Sequence, residues 1–92
     1  MMKTLPDHVA PYKKTPVFDQ HSIPAGLLAN HNTKAGTWGK IVVLEGALRY
    51  TIVEPAPEQH LLTPGHDGVV EPQMLHHVTA QGEVRFYVEF YR

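Results

Sequence analysis

The sequence predicts an all-β chain, an antiparallel sandwich or barrel, and three observations carry the prediction. Eight prolines, at 6, 11, 16, 24, 55, 57, 64 and 72, with seven glycines among them, leave few windows in which a helix of ordinary length would fit. Residues 41–44 form a β-branched apolar block, and residues 84–91 alternate apolar with polar at the period of a strand. No internal repeat, low-complexity tract or sustained helical period competes with this reading. With 92 residues the chain is long enough for one compact core and too short for two, so a single domain over 1–92 is expected.

The elements follow in order. The longest proline-free stretch, Ala25 to Glu54, holds Gly26, Gly36, Gly39 and Gly46 and reads as strand. Lys40 to Leu44 is one strand; Ala47 to Val53, with Leu48, Tyr50 and Ile52 set against Arg49 and Thr51, is a second, and Glu45-Gly46 between them reads as a hairpin turn. Pro55 to Gln59 is a surface loop and Thr63 to Gly68 a second turn, with short apolar pieces at Leu61-Leu62 and Val69-Val70. The last strand places Val84, Phe86, Val88 and Phe90 on one face. Arg85, Tyr87, Glu89 and Tyr91 lie on the other, as a polar wall or a dimer face; buried, Glu89 would need a partner such as Arg49 or Arg85.

Composition narrows the function. Eight Lys and Arg against nine Asp and Glu give a net charge of -1, and no basic run exceeds Lys13-Lys14, so a nucleic acid is not expected as partner. The longest apolar run, Ile41 to Leu44, cannot span a bilayer, and the N-terminus lacks the hydrophobic stretch of a secretory signal; a cytoplasmic location is expected. With no cysteine, a metal would rest on His, carboxylate or hydroxyl groups.

The seven histidines are therefore the residues to explain. His31, with Thr33 and Lys34, precedes one strand; His76-His77 follows Glu71-Pro72, and a small barrel could bring His31 and His76 to a shared interior site. Zinc wants about four ligands, so Glu71, Asp67, Thr33 or another His would have to complete it. Lys34 offers a positive charge to an anion, or is a solvated turn residue; Thr33 offers a hydroxyl donor. Trp38 lines the pocket or plugs the barrel, Glu71 is a ligand, a base or a surface carboxylate, and Tyr87 is a further acid–base candidate. His8, His21, His60 and His66 sit in apparent loops, and His77 points away from His76. No Ser-His-Asp set and no paired carboxylates stand out.

Two motifs resemble those of the cupins. His31 and Gly46 stand at the ends of the first motif, with Thr33 in place of its second His and Gly39 about where its Glu belongs; Pro72 and His76 match the second motif, with Gln73 and Met74 near its expected Gly. More specifically, the run His31-Asn32-Thr33-Lys34-Ala35-Gly36-Thr37-Trp38-Gly39-Lys40, with Val43-Leu44-Glu45-Gly46, Glu71 to His76, Tyr12 to Pro16 and the ending Phe86 to Tyr91, is similar to the tellurite resistance protein B/YeaR-like cupin family over almost the whole chain. The resemblance implies a compact cupin-type jelly-roll β-barrel, commonly a homodimer, associated with tellurite or related oxyanion stress. It implies a metal ion (zinc, iron, nickel or manganese) or a small oxyanion held near His31 and His76, with Thr33, Lys34, Trp38, Glu71 and Tyr87 around the ligand. The methyl transfer of two-domain members requires a Gly-rich cofactor loop that this sequence lacks. A metal-dependent enzyme and a metal-free module for a separately encoded methyltransferase are the alternatives.

Overall fold

The structure, a computed structural model, describes residues 2–30, 32–54 and 56–92. Its elements are β1 (Pro11–Lys14), β2 (Phe18–Asp19), the single helical turn α1 (Ala25–Leu28), β3 (Trp38–Glu54), β4 (Glu58–Leu62), β5 (Gly68–Val70) and β6 (Leu75–Tyr91). The all-β expectation holds, with every strand pairing antiparallel. The two 17-residue strands, β3 and β6, pair with each other from Trp38↔Tyr91 to Glu54↔Leu75 and form the spine. β1 and β2 add to the free edge of β6, and β4 and β5 to that of β3.

The expected hairpin at Glu45-Gly46 does not form, because the chain runs straight through it inside β3. What stands there is a β-bulge. Val43↔Phe86 is followed by Glu45↔Arg85, so β3 uses two residue steps where β6 uses one, and Leu44 is the extra residue. One extra residue inverts the alternation of a strand. Accordingly Gly39, Ile41 and Val43 face inward before the bulge and Leu48, Tyr50 and Ile52 after it. In β6 the step from Ala80 to Val84 opposes Leu48 to Gly46, two residues too many, and parity is kept: His76, Val78, Val84, Phe86 and Val88 are all buried. Gly46 and Gly82 take the left-handed φ values, 78° and 75°, that this bend needs.

The bend folds the sheet over on itself, and the inward residues of both halves form one apolar cluster. Gly68 of β5 shows how closely the layers approach: a Cβ there would lie 2.7 Å from Leu62 Cδ1 and 3.2 Å from Tyr50 Cδ2. Tyr50, fully buried, ties the layers together by donating its hydroxyl to Val69 O at 3.0 Å and contacting Met74 Sδ at 3.3 Å. Burial pushes the Tyr50 phenol well above its ordinary pKa, and the charges of Glu71 and Glu58 add to the shift. Among the described residues no pairing joins β4 or β5 back to β1 or β2, so the sheet is an open, sandwich-like jelly roll and not a closed barrel. β4 begins at Glu58, which shortens the expected Pro55–Gln59 loop and puts His60 in a strand opposite Tyr50. Among the described residues no helix is long and apolar enough to cross a membrane.

Candidate functional site

Between the two layers lies a cavity of about 300 Å³. Its apolar wall comes from strand faces: Ile41 of β3, Val70 of β5, and Val78, Phe86 and Val88 of β6. Its polar groups come from the loop between α1 and β3, which brings Asn32, Thr33, Lys34 and Thr37, and from Lys13 of β1 and His76 of β6. Three hydrogen bonds fix that loop. His77 Nδ1–H donates to Asn30 Oδ1 at 2.6 Å, Gln73 N–H to Thr33 O at 2.9 Å and Thr37 N–H to Lys34 O at 3.1 Å. Gln73 adopts φ 59°, a conformation uncommon outside glycine, so the bond that holds Thr33 is made at some backbone cost.

Thr33 and Thr37 are each only 9 % exposed, and no protein group hydrogen-bonds either hydroxyl among the described residues. A buried hydroxyl without a partner costs about 1–3 kcal/mol, so these two on one cavity wall are hydrogen-bonding groups open to whatever occupies the cavity. Lys13 and Lys34, both exposed at the cavity rim, make no ion pair among the described residues, and no Asp or Glu lines the cavity. The wall is thus positive and donor-rich.

His76 is 4 % exposed, and its Nδ1 lies 2.9 Å from Met74 O. A carbonyl only accepts, so Nδ1 carries the proton and, in the neutral ring, Nε2 carries the lone pair. Its ring also meets Tyr50 edge to face at 5.9 Å. His31, the other expected metal ligand, lies outside the described residues. Among those described, no group of three His, Asp or Glu is arranged to hold a metal.

Of the residues expected around a ligand, the structure brings Thr33 and Lys34 to the cavity with His76, and leaves Trp38, Glu71 and Tyr87 off its lining. Trp38 pairs with Tyr91 on the outer side of the β3–β6 ladder, Tyr87 carries Lys14 over its ring at 4.9 Å, and Glu71 pairs with Lys3 at 3.5 Å. Glu89 accepts from Tyr91 Oη at 2.6 Å and lies 4.0 Å from Lys40, so neither Arg49 nor Arg85 serves it. His66 is exposed on the Thr63↔His66 turn, and His60 pairs with Glu58 at 3.0 Å. Sequence reasoning missed Thr37, Asn32 and Lys13. Thr37 was legible: it shares the parity of Gly39, Ile41 and Val43, so extending that strand's alternation by two residues turns it inward.

The TehB-like domain family matches this chain over residues 13–88. A Haemophilus influenzae protein named "Probable S-adenosyl-L-methionine-dependent methyltransferase TehB" is 42 % identical over 73 residues, which make 75 % of this chain and 26 % of the relative. The chain therefore spans about a quarter of the length of that curated relative. The crystal structure of TehB from Haemophilus influenzae superposes with a TM-score of 0.83 at 34 % identity, over 92 % of this chain and 32 % of that one. An Escherichia coli K12 protein gives a TM-score of 0.88 at 23 % identity over 99 % of this chain and 97 % of its own. HppE in its iron(II) form gives 0.61 at 22 % identity, over 80 % and 40 %. The last two likenesses show the fold alone. With the family match covering most of its length, the chain belongs to the TehB-like domain family.

Proposed function

We propose that the chain is a binding domain for a small anion, held in the interlayer cavity by Thr33 and Thr37 with Lys13 and Lys34 at the rim. The observation that carries this reading is the pair of buried, unpartnered threonine hydroxyls on a wall with two cations and no carboxylate. Hydroxyl and ammonium groups donate hydrogen bonds, which suits an oxyanion or carboxylate and repels a metal cation. The family resemblance adds tellurite and related oxyanions to the candidates. NMR titration of labelled protein with tellurite, selenite, phosphate and acetate tests the reading. Saturable shifts confined to Thr33, Lys34, Thr37 and the start of β6 are expected, and weaker binding in a Lys13→Gln/Lys34→Gln variant; no saturable shift with any of the four would defeat it.

One observation favours a second reading, a metal-dependent enzyme: the Nδ1–H bond to a backbone carbonyl is how metal-binding histidines are commonly oriented. The described donors do not make a metal site by themselves, since they offer one imidazole and no carboxylate at the cavity. Elemental analysis of protein purified without chelator, beside a folded His31→Ala/His76→Ala variant, decides it: near-stoichiometric metal lost in the variant supports this second reading. A third role, docking to a separately encoded methyltransferase, draws on the name of the longer relative. Pull-down with untagged protein tests it. The homodimer expected from the aromatic last strand belongs to the same proposal, with Trp38, Tyr87 and Tyr91 on the outer face as its contact; sedimentation at 10.3 kDa would remove it.

A further inference from the structure

The cavity is larger and more apolar than an inorganic oxyanion requires. At about 300 Å³ it has room for on the order of ten non-hydrogen atoms, taking each at the roughly 30 Å³ of a water molecule. Tellurite, selenite and phosphate have four or five. Seated against Thr33 and Thr37, such an ion would leave Ile41, Val70, Val78, Phe86 and Val88 facing several waters with few polar partners, which an apolar cavity does not hold well. A glycine keeps this space open. Gly39 lines the cavity, and a Cβ there would fall 3.4 Å from Val70 Cβ and 3.8 Å from Val88 Cγ1, in contact with the apolar wall itself. Gly39 has no left-handed φ, so the backbone does not demand glycine at that point.

Building on the anion reading of the same site, we propose that the ligand is an organic monoanion with a short apolar body. Its acid group meets the hydroxyls of Thr33 and Thr37 and the lysines at the rim, and its hydrocarbon part lies on the wall of Ile41, Val78, Phe86 and Val88. A straight-chain carboxylate of up to about eight carbons matches the volume, since octanoate has about ten non-hydrogen atoms.

The test is an NMR titration of the full chain with acetate, butyrate, hexanoate, octanoate and decanoate, beside octanamide, tellurite and phosphate. Each methylene that enters the cavity should tighten binding about four-fold, and the gain should level off near octanoate. Shifts should map to Thr33, Thr37, Gly39 and Val78, and octanamide should bind more weakly than octanoate. Gly39→Ala, which narrows the apolar wall without straining the backbone, should bring the plateau about one carbon earlier; Val78→Ile provides the same reading if Gly39→Ala folds poorly. Acetate and phosphate binding at the threonines with no dependence on chain length would overturn the amphiphilic ligand and leave the anion site standing. Octanamide binding as well as octanoate would overturn it also, as would tellurite binding more tightly than octanoate. Failure of every anion would remove both this inference and the reading on which it rests.

Discussion

Replacing Gly46 with alanine should be the most damaging single-methyl change in the fold, and Gly82 supplies its control. Both glycines sit at the bend of the β3–β6 ladder with nearly equal left-handed φ values, 78° and 75°. An alanine in that conformation costs about 1–2 kcal/mol, partly offset by the roughly 0.4–1 kcal/mol that a stiffer unfolded chain returns. Gly82 has nothing within 4 Å of a built Cβ, so Gly82→Ala should cost about 1 kcal/mol or less. At Gly46 the methyl would overlap the Glu83 carbonyl oxygen and approach Glu83 C to 2.9 Å and Val84 Cα to 3.1 Å. All three are backbone atoms of the opposing strand, next to the Gly46↔Val84 pair, and no rotamer change relieves the contact. Restoring an ordinary C···O separation of about 3.3 Å means moving one strand away from the other where they must pair. Adding an overpacking cost of about 1–3 kcal/mol brings Gly46→Ala to about 3 kcal/mol. In a domain whose total stability is of order 5–15 kcal/mol, that lowers Tm by about 15 °C or more. Urea unfolding followed by far-ultraviolet circular dichroism gives both values, with Trp38 fluorescence as a second probe. If the two variants agree within about 0.5 kcal/mol, the φ requirement alone explains both positions and the argument from close approach is wrong.

Thr37→Val removes an unpartnered buried hydroxyl while keeping its shape, so it should stabilise the ligand-free protein by about 1 kcal/mol in the same urea assay and weaken anion binding. Destabilisation would mean that the hydroxyl already has a partner. Tyr50→Phe withdraws the donor from Val69 O and the contact from Met74 Sδ, and should cost about 1–2 kcal/mol without changing the unfolding slope. Asp19 is held below its ordinary carboxylate pKa of 3.8 by the backbone N–H of His21 and by Ser22. A depressed folded-state pKa contributes stability that is present above 3.8 and fades as pH falls through the lower folded value. Asp19→Asn should therefore lower stability at neutral pH and leave it nearly unchanged below the folded-state pKa, which makes the acid limb of the stability profile shallower, as thermal melts from pH 7 downward would show.

The alternation of residues 48–52 and 84–90 was legible because each lies on one side of a bulge, where period two holds. The hairpin at Glu45-Gly46 was misread for a physical reason. A tight turn and a bulge make the same demand, a left-handed glycine, and the sequence shows only the demand. What separates them is the partner strand: β6 holds Gly82 in the same bend, between Ala80 and Val84, and a left-handed glycine in each of two 17-residue paired strands belongs to a fold in the sheet. Parity carried the missing information. Ile41 and Val43 are odd and Leu48, Tyr50 and Ile52 even, and such an inversion with one extra residue is what a bulge produces inside a continuous strand.

The site was harder to read than the fold because its chemistry depends on which side chains are left without partners. Histidine count drew attention to imidazoles, yet five of the seven are placed off the cavity: His60 faces Glu58, His77 holds Asn30, and His8, His21 and His66 are exposed. Carboxylate count was equally uninformative, since Glu71 and Glu89 are paired with Lys3 and with Tyr91 and Lys40. Neither carboxylate lines the cavity, which leaves Lys13 and Lys34 as the charges at its rim. A chain with a net charge of -1 thus carries two lysines and no carboxylate around this cavity, and that local reversal of sign is the ground on which an anion is proposed over a cation.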